Sequence, residues 1–367
     1  AVDVAPDTLT TAMPRFATQS PDGQSVIFES MGRLYIKRSD TEAKRLTRDT
    51  SDAVEFSPAF SPDGKDVYYL TWSDDALGSI RKVSARGGRP QNVLATPGHY
   101  VDLSVSSDGE TLLFAKLSGS ALTNPHWGNK PGIYTFNIGD DEAQFVSRRG
   151  RSPHFGPEDR IYANERASSA VGRGSDDAST ELISMNHDGE DVRTHASSPL
   201  ATVIRMSPAG KHVAYREAGR LYVAALPMTG RSIDLSAIPN NASGPAAFAT
   251  ERVSAPGGEF IHWNADGTSL TWSVGPRFFQ YSVDGSLGTG TNEARQIADL
   301  SLSVDSDRPR GLVAFTNARV ITMNSARDVI ENGVVIVEDN RIVALGATGD
   351  VSIPDGASQV DLAGKTL

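Results

Sequence analysis

Cysteine is absent from all 367 residues, which excludes disulfides, thiolate catalysis and zinc held by thiolates. Long apolar runs are absent too. None approaches the ~18 residues that a membrane-spanning helix needs, so no membrane partner is expected. Positive charge is in deficit, with 35 Lys and Arg against 45 Asp and Glu and a net charge of −10. Phosphate backbones are gripped by clustered Lys and Arg, so no nucleic-acid partner is expected either. The chain opens Ala1-Val2-Asp3 with neither Met nor a charged-then-apolar leader. It reads as a mature form whose signal peptide has gone, and with the lack of cysteine this fits a periplasmic or secreted bacterial protein. The remaining composition, 38% hydrophobic and 22% charged, is that of a globular chain.

Against this background one four-residue pattern recurs. Ser20-Pro21-Asp22-Gly23 returns as Ser61-Pro62-Asp63-Gly64 and Ser106-Ser107-Asp108-Gly109. Weaker copies are Gly156-Pro157-Glu158-Asp159, Ser207-Pro208-Ala209-Gly210 and Asn264-Ala265-Asp266-Gly267. The fourth positions (23, 64, 109, 159, 210 and 267) lie 41, 45, 50, 51 and 57 residues apart, periods that suit four-stranded propeller blades. Asp-Gly supplies a turn in which Gly takes positive φ without steric cost. A β-rich run follows each turn: Val26-Ile27-Phe28, Val67-Tyr68-Tyr69, Leu112-Leu113-Phe114, Ile161-Tyr162, Val213-Ala214-Tyr215 and Leu270-Thr271-Trp272. A second strand comes after it, as in Leu34-Tyr35-Ile36 and Leu221-Tyr222-Val223. One such unit cannot bury both faces of its sheet, whereas radial closure of six does. A β-sandwich with coincidental Asp-Gly turns is the alternative, and the regular turn spacing argues against it.

These turns and strands resemble the TolB/WD40-like family over roughly residues 10–305. The expected fold is therefore all-β, a six-bladed β-propeller over residues 1–308. Ala167–Thr180 and Ile238–Gly258 read as long loops, placed either for partner contact or as tolerated insertions.

After Asp307-Arg308-Pro309 the texture changes. Ala318–Met323 alternates, and Gly333–Val337 and Arg341–Gly346 form two short strands around an Asp339-Asn340 turn. Asn317–Thr322, Glu331–Gly346 and Asp361–Thr366 together resemble the opening of metal-dependent amidohydrolases, closest to the imidazolonepropionase-like and dipeptidase-like branch. The resemblance implies that residues 309–367 are the N-terminal half of a small β-sandwich. It also implies a (β/α)₈ barrel, entered through an Asp-x-His-x-His segment and holding zinc or a similar divalent metal. That barrel is absent from these 367 residues and is expected as a C-terminal fragment of the same polypeptide. No catalytic or metal-binding residue of the family falls on this chain. Val334, Ile336 and Ile342 are expected to lack their facing sheet.

Other constellations are sparse. The seven histidines, His99, His126, His154, His187, His195, His212 and His262, show no His-x-His or His-x-x-x-His spacing, so each reads as a surface or internally satisfied histidine. There is no Gly-x-Ser-x-Gly elbow for a serine peptidase. Gly285-Ser286-Leu287-Gly288-Thr289-Gly290 has no following helix to make a phosphate loop, and Asn241-Ala242-Ser243 is a glycosylation sequon by pattern alone. Trp72, Trp263 and Trp272 read as core. Trp127, within Asn124-Pro125-His126-Trp127-Gly128, lies in a turn-rich stretch, so Trp127 and His126 are the candidates for substrate gating.

The expectation from the amidohydrolase resemblance is the front portion of an enzyme that cleaves an amide or peptide C–N bond with a metal-activated hydroxide. The propeller would gate or dock a peptide or small amide substrate, and this chain alone would be inactive. The alternative is a non-catalytic propeller that binds a peptide or protein partner.

Overall fold

The computed structural model describes residues 6–39, 41–48, 51–118, 130–167, 179–227, 230–235, 249–254, 256–283, 287, 293–306 and 310–367. Trp127 and His126 lie outside these residues, as do the sequon and most of the two predicted loops. No helix among the described residues is long and apolar enough to cross a membrane.

Each repeated turn is built by its own side chains. Ser20 Oγ donates to Asp22 Oδ1 at 2.5 Å, that oxygen accepts the Gln24 N–H at 3.0 Å, and Ser25 N–H donates to Ser20 Oγ at 2.9 Å. The same bonds recur around Ser61 and Asp63 and around Ser106 and Asp108, with Asn264 and Asp266 making a variant. Accepting these hydroxyl and amide donors holds the carboxyls of Asp22, Asp63, Asp108 and Asp266 below the ordinary aspartate range. The turn also locks neighbouring repeats together. A Cβ on Gly64 would lie 3.7 Å from Pro21, one on Gly109 3.3 Å from Pro62, one on Gly210 3.0 Å from Pro157, and one on Gly267 3.5 Å from Pro208. Proline of one repeat thus seats on the bare Cα of the next. Blades 3 and 4 lack this contact, since Ser107 and Asp159 occupy the two positions.

Residues Thr11–Leu302 form one compact unit, a ring of six antiparallel sheets. Blade 1 comprises Arg15–Gln19, Ser25–Ser30, Arg33–Arg38 and Lys44–Arg45; blade 2 comprises Val54–Phe60, Asp66–Ser73, Leu77–Ser84 and Gln91–Gly98. Blade 3 comprises Tyr100–Val105, Thr111–Lys116, Gly132–Asn137 and Gln144–Ser147. Blade 4 comprises Arg151–Phe155, Ile161–Ala167, Ser179–Met185 and Arg193–Ser198, with Ile233–Asp234 added in parallel. Blade 5 comprises Ala201–Met206, His212–Glu217, Arg220–Ala225 and Thr250–Ser254; blade 6 comprises Glu259–Trp263, Ser269–Val274, Arg277–Ser282 and Arg295–Asp299. Thr250–Ser254 corrects the loop expected over Ile238–Gly258: its Val253 is buried and its backbone pairs with Leu221–Ala224.

The second strand of every blade is covered on both faces by neighbouring blades, so its apolar residues run nearly unbroken, as in Val67-Tyr68-Tyr69-Leu70 and Leu112-Leu113-Phe114. The first strands of blades 6, 1, 2, 3 and 4 lie side by side in that order. The ring closes without exchanging a strand. Phe16 of blade 1 packs on Phe260 of blade 6 with centroids 4.9 Å apart, and Gln280 Nε2 donates to Gln19 Oε1 at 3.4 Å.

The second unit comprises Ser303–Leu367 and the described residues of the first ten. Its four-stranded sheet has the order Arg341–Ala347, Val329–Glu338, Leu312–Ile321, Ser358–Asp361, the last pair parallel. Asp339, at φ 52°, forms the expected hairpin turn with Asn340. Val334 and Ile336 are buried, against expectation, because Leu312, Ala314, Val351, Ile353 and Ala357 pack over them. Ile342 and Val343 stay 68% and 51% exposed.

Candidate functional site

All six first strands are bulged at one point, seven residues or so before the fourth position of the turn. Phe16, Ser57, Asp102, Ser152 and Phe260 occupy that point with φ between 51° and 57°, a left-handed conformation that costs a non-glycine residue energy. The extra residue re-aims the side chains that follow. Two residues on, at the same register, blades 4, 5 and 6 present His154, Arg205 and His262.

His154 is held at both ring nitrogens. Nε2 accepts the Met206 N–H from blade 5 at 3.0 Å, which leaves the proton on Nδ1, 3.3 Å from Ser152 O. Burial, reinforced by the Arg205 charge, pushes His154 well below the ordinary histidine value, so the ring is neutral at pH 7. Arg205 Nη1 donates to the same Ser152 carbonyl at a long 3.4 Å. Burial lowers the guanidinium while the Asp102 carboxylate acts in the opposite sense; arginine starts so far above neutrality that it remains a cation. No described carboxylate forms an ion pair or hydrogen bond with it. His262 is pushed down to about 4, first by burial and then by Arg205, and its ring makes no hydrogen bond among the described residues. Arg205 and His262 keep partial access to solvent at the inner edge of the ring. On the adjoining arc of blades 1, 2 and 6, Phe16 lies 4.9 Å from Phe260 and 6.0 Å from Phe56, all three half-buried.

The sequence-predicted site residues fare differently. Trp127 and His126 fall outside the described residues. Trp272 is buried core, while Trp263 is half-buried and donates its indole N–H to Arg205 O at 3.3 Å. Trp72 is half-buried against His99 at 4.8 Å. His154 is internally satisfied, as read; His262 is half-buried with no ring hydrogen bond among the described residues, and sequence reasoning missed its relation to Arg205. The signal was a shared offset: each stands five residues before the fourth position of its turn. A groove of about 250 Å³ between blades 1 and 6, lined by Gln19, Gln24, Lys37, Ser39, Gln280 and Arg295, offers hydrogen-bond donors but no nucleophile with a base. Among the described residues no three His, Asp or Glu side chains converge as a metal site requires.

The chain matches no family model and no curated protein. Solved structures do resemble it. A gluconolactonase from Xanthomonas campestris superposes at TM-score 0.50 with 13% identity, over 76% of this chain and 89% of that one. A putative TolB from Agrobacterium tumefaciens gives 0.49 with 19% identity, over 71% and 87%. An oligogalacturonate lyase from Vibrio parahaemolyticus gives 0.47 with 14% identity, over 80% and 79%. The likeness is one of fold, a multi-bladed β-propeller. A fold shared by a lactonase, a lyase and a TolB protein assigns no activity.

Proposed function

We propose that this chain is the substrate-receiving front portion of a metal-dependent amidohydrolase that cleaves amide or peptide C–N bonds outside the cytoplasm. The observation that carries the reading is the sheet of residues 312–367. It folds with one apolar cluster closed, yet leaves Ile342, Val343, Leu345 and Val360 between 39% and 68% exposed. Exposed apolar strands of this kind are covered in finished proteins. The facing half of an amidohydrolase sandwich would cover them, and residues 312–367 resemble that family's opening.

Zinc does not fit the described residues of this chain: no metal cluster is present among them, and both nitrogens of His154 are engaged. On this reading hydrolysis belongs to the barrel. The propeller's part is to select what is delivered. A free-standing binding propeller is the second reading, favoured by the axial arginine, but it leaves the exposed sheet unexplained.

The test is to read the gene beyond the codon for Leu367 and assay both forms. An in-frame barrel with an Asp-x-His-x-His segment is expected, with metal-dependent dipeptide hydrolysis by the whole product and none by this chain. A gene with no barrel, or hydrolysis by the isolated chain, overturns the reading.

A further inference from the structure

We infer that the centre of the propeller, where blades 4, 5 and 6 meet, binds a carboxylate carried on an apolar group. This inference rests on the propeller alone and stands whether or not the chain serves an amidohydrolase.

A largely buried arginine is ordinarily paired with an acid, because leaving its charge uncompensated is costly. Arg205 is not so paired among the described residues. Its one hydrogen bond there is the 3.4 Å contact to Ser152 O, and Asp102 acts on it only through its field. Most of its five N–H donors therefore have no hydrogen-bond partner among the described residues. His154 holds the arrangement in place: bonded at both nitrogens, it fixes the Ser152 carbonyl on which Arg205 rests and, being neutral, does not repel the cation. His262, one blade on, presents a neutral ring whose nitrogens find no partner among the described residues, and so adds a donor beside the guanidinium.

The charge at the site limits the anion. One guanidinium flanked by two neutral imidazoles carries a single positive charge, which Asp102 offsets in part from beyond hydrogen-bond reach, so a monoanion suits it better than a phosphate dianion. The planar fork of arginine fits a carboxylate through two parallel N–H bonds. With a net charge of −10, the chain does not draw small anions nonspecifically, so affinity must arise at the site itself. Phe260 stands two residues before His262 on the same strand and continues into Phe16 and Phe56. A half-buried aromatic surface beside a fixed charge is the composition of a pocket that orients an apolar ligand by one polar end. The C-terminal end of a peptide with an apolar last residue has this chemistry.

The experiment is isothermal titration of the full chain with N-acetyl-L-phenylalanine, N-acetyl-L-phenylalaninamide and sulfate at fixed ionic strength, repeated on Arg205→Gln and Phe260→Ala. The acid is expected to bind, the amide and R205Q each to lose ten- to a hundredfold, and sulfate to bind at least tenfold more weakly than the acid. F260A should weaken the acid and leave sulfate unchanged. The amide comparison uses the unaltered chain, so a folding defect in either variant does not spare the inference. Equal binding of acid and amide, sulfate as tight as the acid, or no binding of the acid overturns it.

Discussion

Replacing Gly210 by Ala tests the proline-on-glycine contact that joins blades 4 and 5, and Gly219 supplies an internal control. Both glycines have φ +72°, so alanine at either site carries a left-handed strain of roughly 1–2 kcal/mol. Nothing lies within 4 Å of a Cβ at Gly219, and its cost ends there. At Gly210 the added methyl would stand 3.0 Å from Pro157 Cγ and 3.3 Å from Pro157 Cβ. Overpacking of that kind adds about 1–3 kcal/mol. G219A should therefore cost about 1–2 kcal/mol and G210A about 2–5 kcal/mol. Calorimetry would register a drop near 2 °C per kcal/mol for a unit of this size. Pro157→Ala removes the ring that the methyl strikes, so P157A with G210A should cost less than the two single changes added together, with a coupling of about 1–2 kcal/mol. Equal losses in G210A and G219A, or strict additivity in the cycle, would show that the proline carries no inter-blade contact and refute the reasoning.

Asn164 is buried and bridges blades 4 and 5, donating to Ile204 O at 2.8 Å and accepting Ile204 N–H at 2.6 Å. Asn164→Ala should cost about 2–4 kcal/mol by orphaning two backbone groups, read from urea midpoints. Stability should fall as pH drops below the ordinary histidine range, because the unfolded chain takes up a proton that the folded His262, at about 4, refuses. His262→Asn should flatten the dependence of urea midpoint on pH between 6.5 and about 4, by up to roughly 1.4 kcal/mol per pH unit; an unchanged slope would refute the assignment. At the ring seam, a double-mutant cycle on Phe16→Ala and Phe260→Ala should return about 0.5–1.5 kcal/mol of coupling, and zero would place the closure elsewhere. Ile342→Lys should leave the melting temperature within about 1 °C, since the side chain is exposed, and a large loss would show that its face is covered.

The blades were legible in the sequence because their turns are local chemistry. Ser, Asp and Gly within four residues make their own hydrogen bonds and positive φ, whatever lies around them. Outer strands were harder to see. Thr250–Ser254 carries two charges in five residues and is fixed by pairing with Leu221–Ala224, a tertiary cause that leaves no periodic trace. The central cluster was hidden for another reason. His154, Arg205 and His262 lie about fifty residues apart, and ligand-spacing rules look for pairs on one strand or helix. Only alignment of the repeats on their turns brings the three into register. The closed face of residues 312–367 was misjudged because Val351, Ile353 and Ala357, in a segment that reads as loop, supply its cover.

Because the four antiparallel strands of each blade follow one another along the chain, with only the short Ile233–Asp234 strand of blade 4 supplied from the blade 5 segment, synthesis and assembly can proceed nearly in step. A ribosome releases each four-stranded sheet whole, and most new blades meet the preceding one through a turn whose glycine already fits a waiting proline. Pairings between distant parts of the chain, which slow folding by their loop-closure entropy, are thereby confined to a single late event. That event is the meeting of Phe16 and Gln19 with Phe260 and Gln280, accompanied by the pairing of strand Thr8–Thr11 with Leu302–Asp305. A growing chain of this kind exposes one unfinished sheet face at a time, and the last of these is sealed only when the sixth blade arrives.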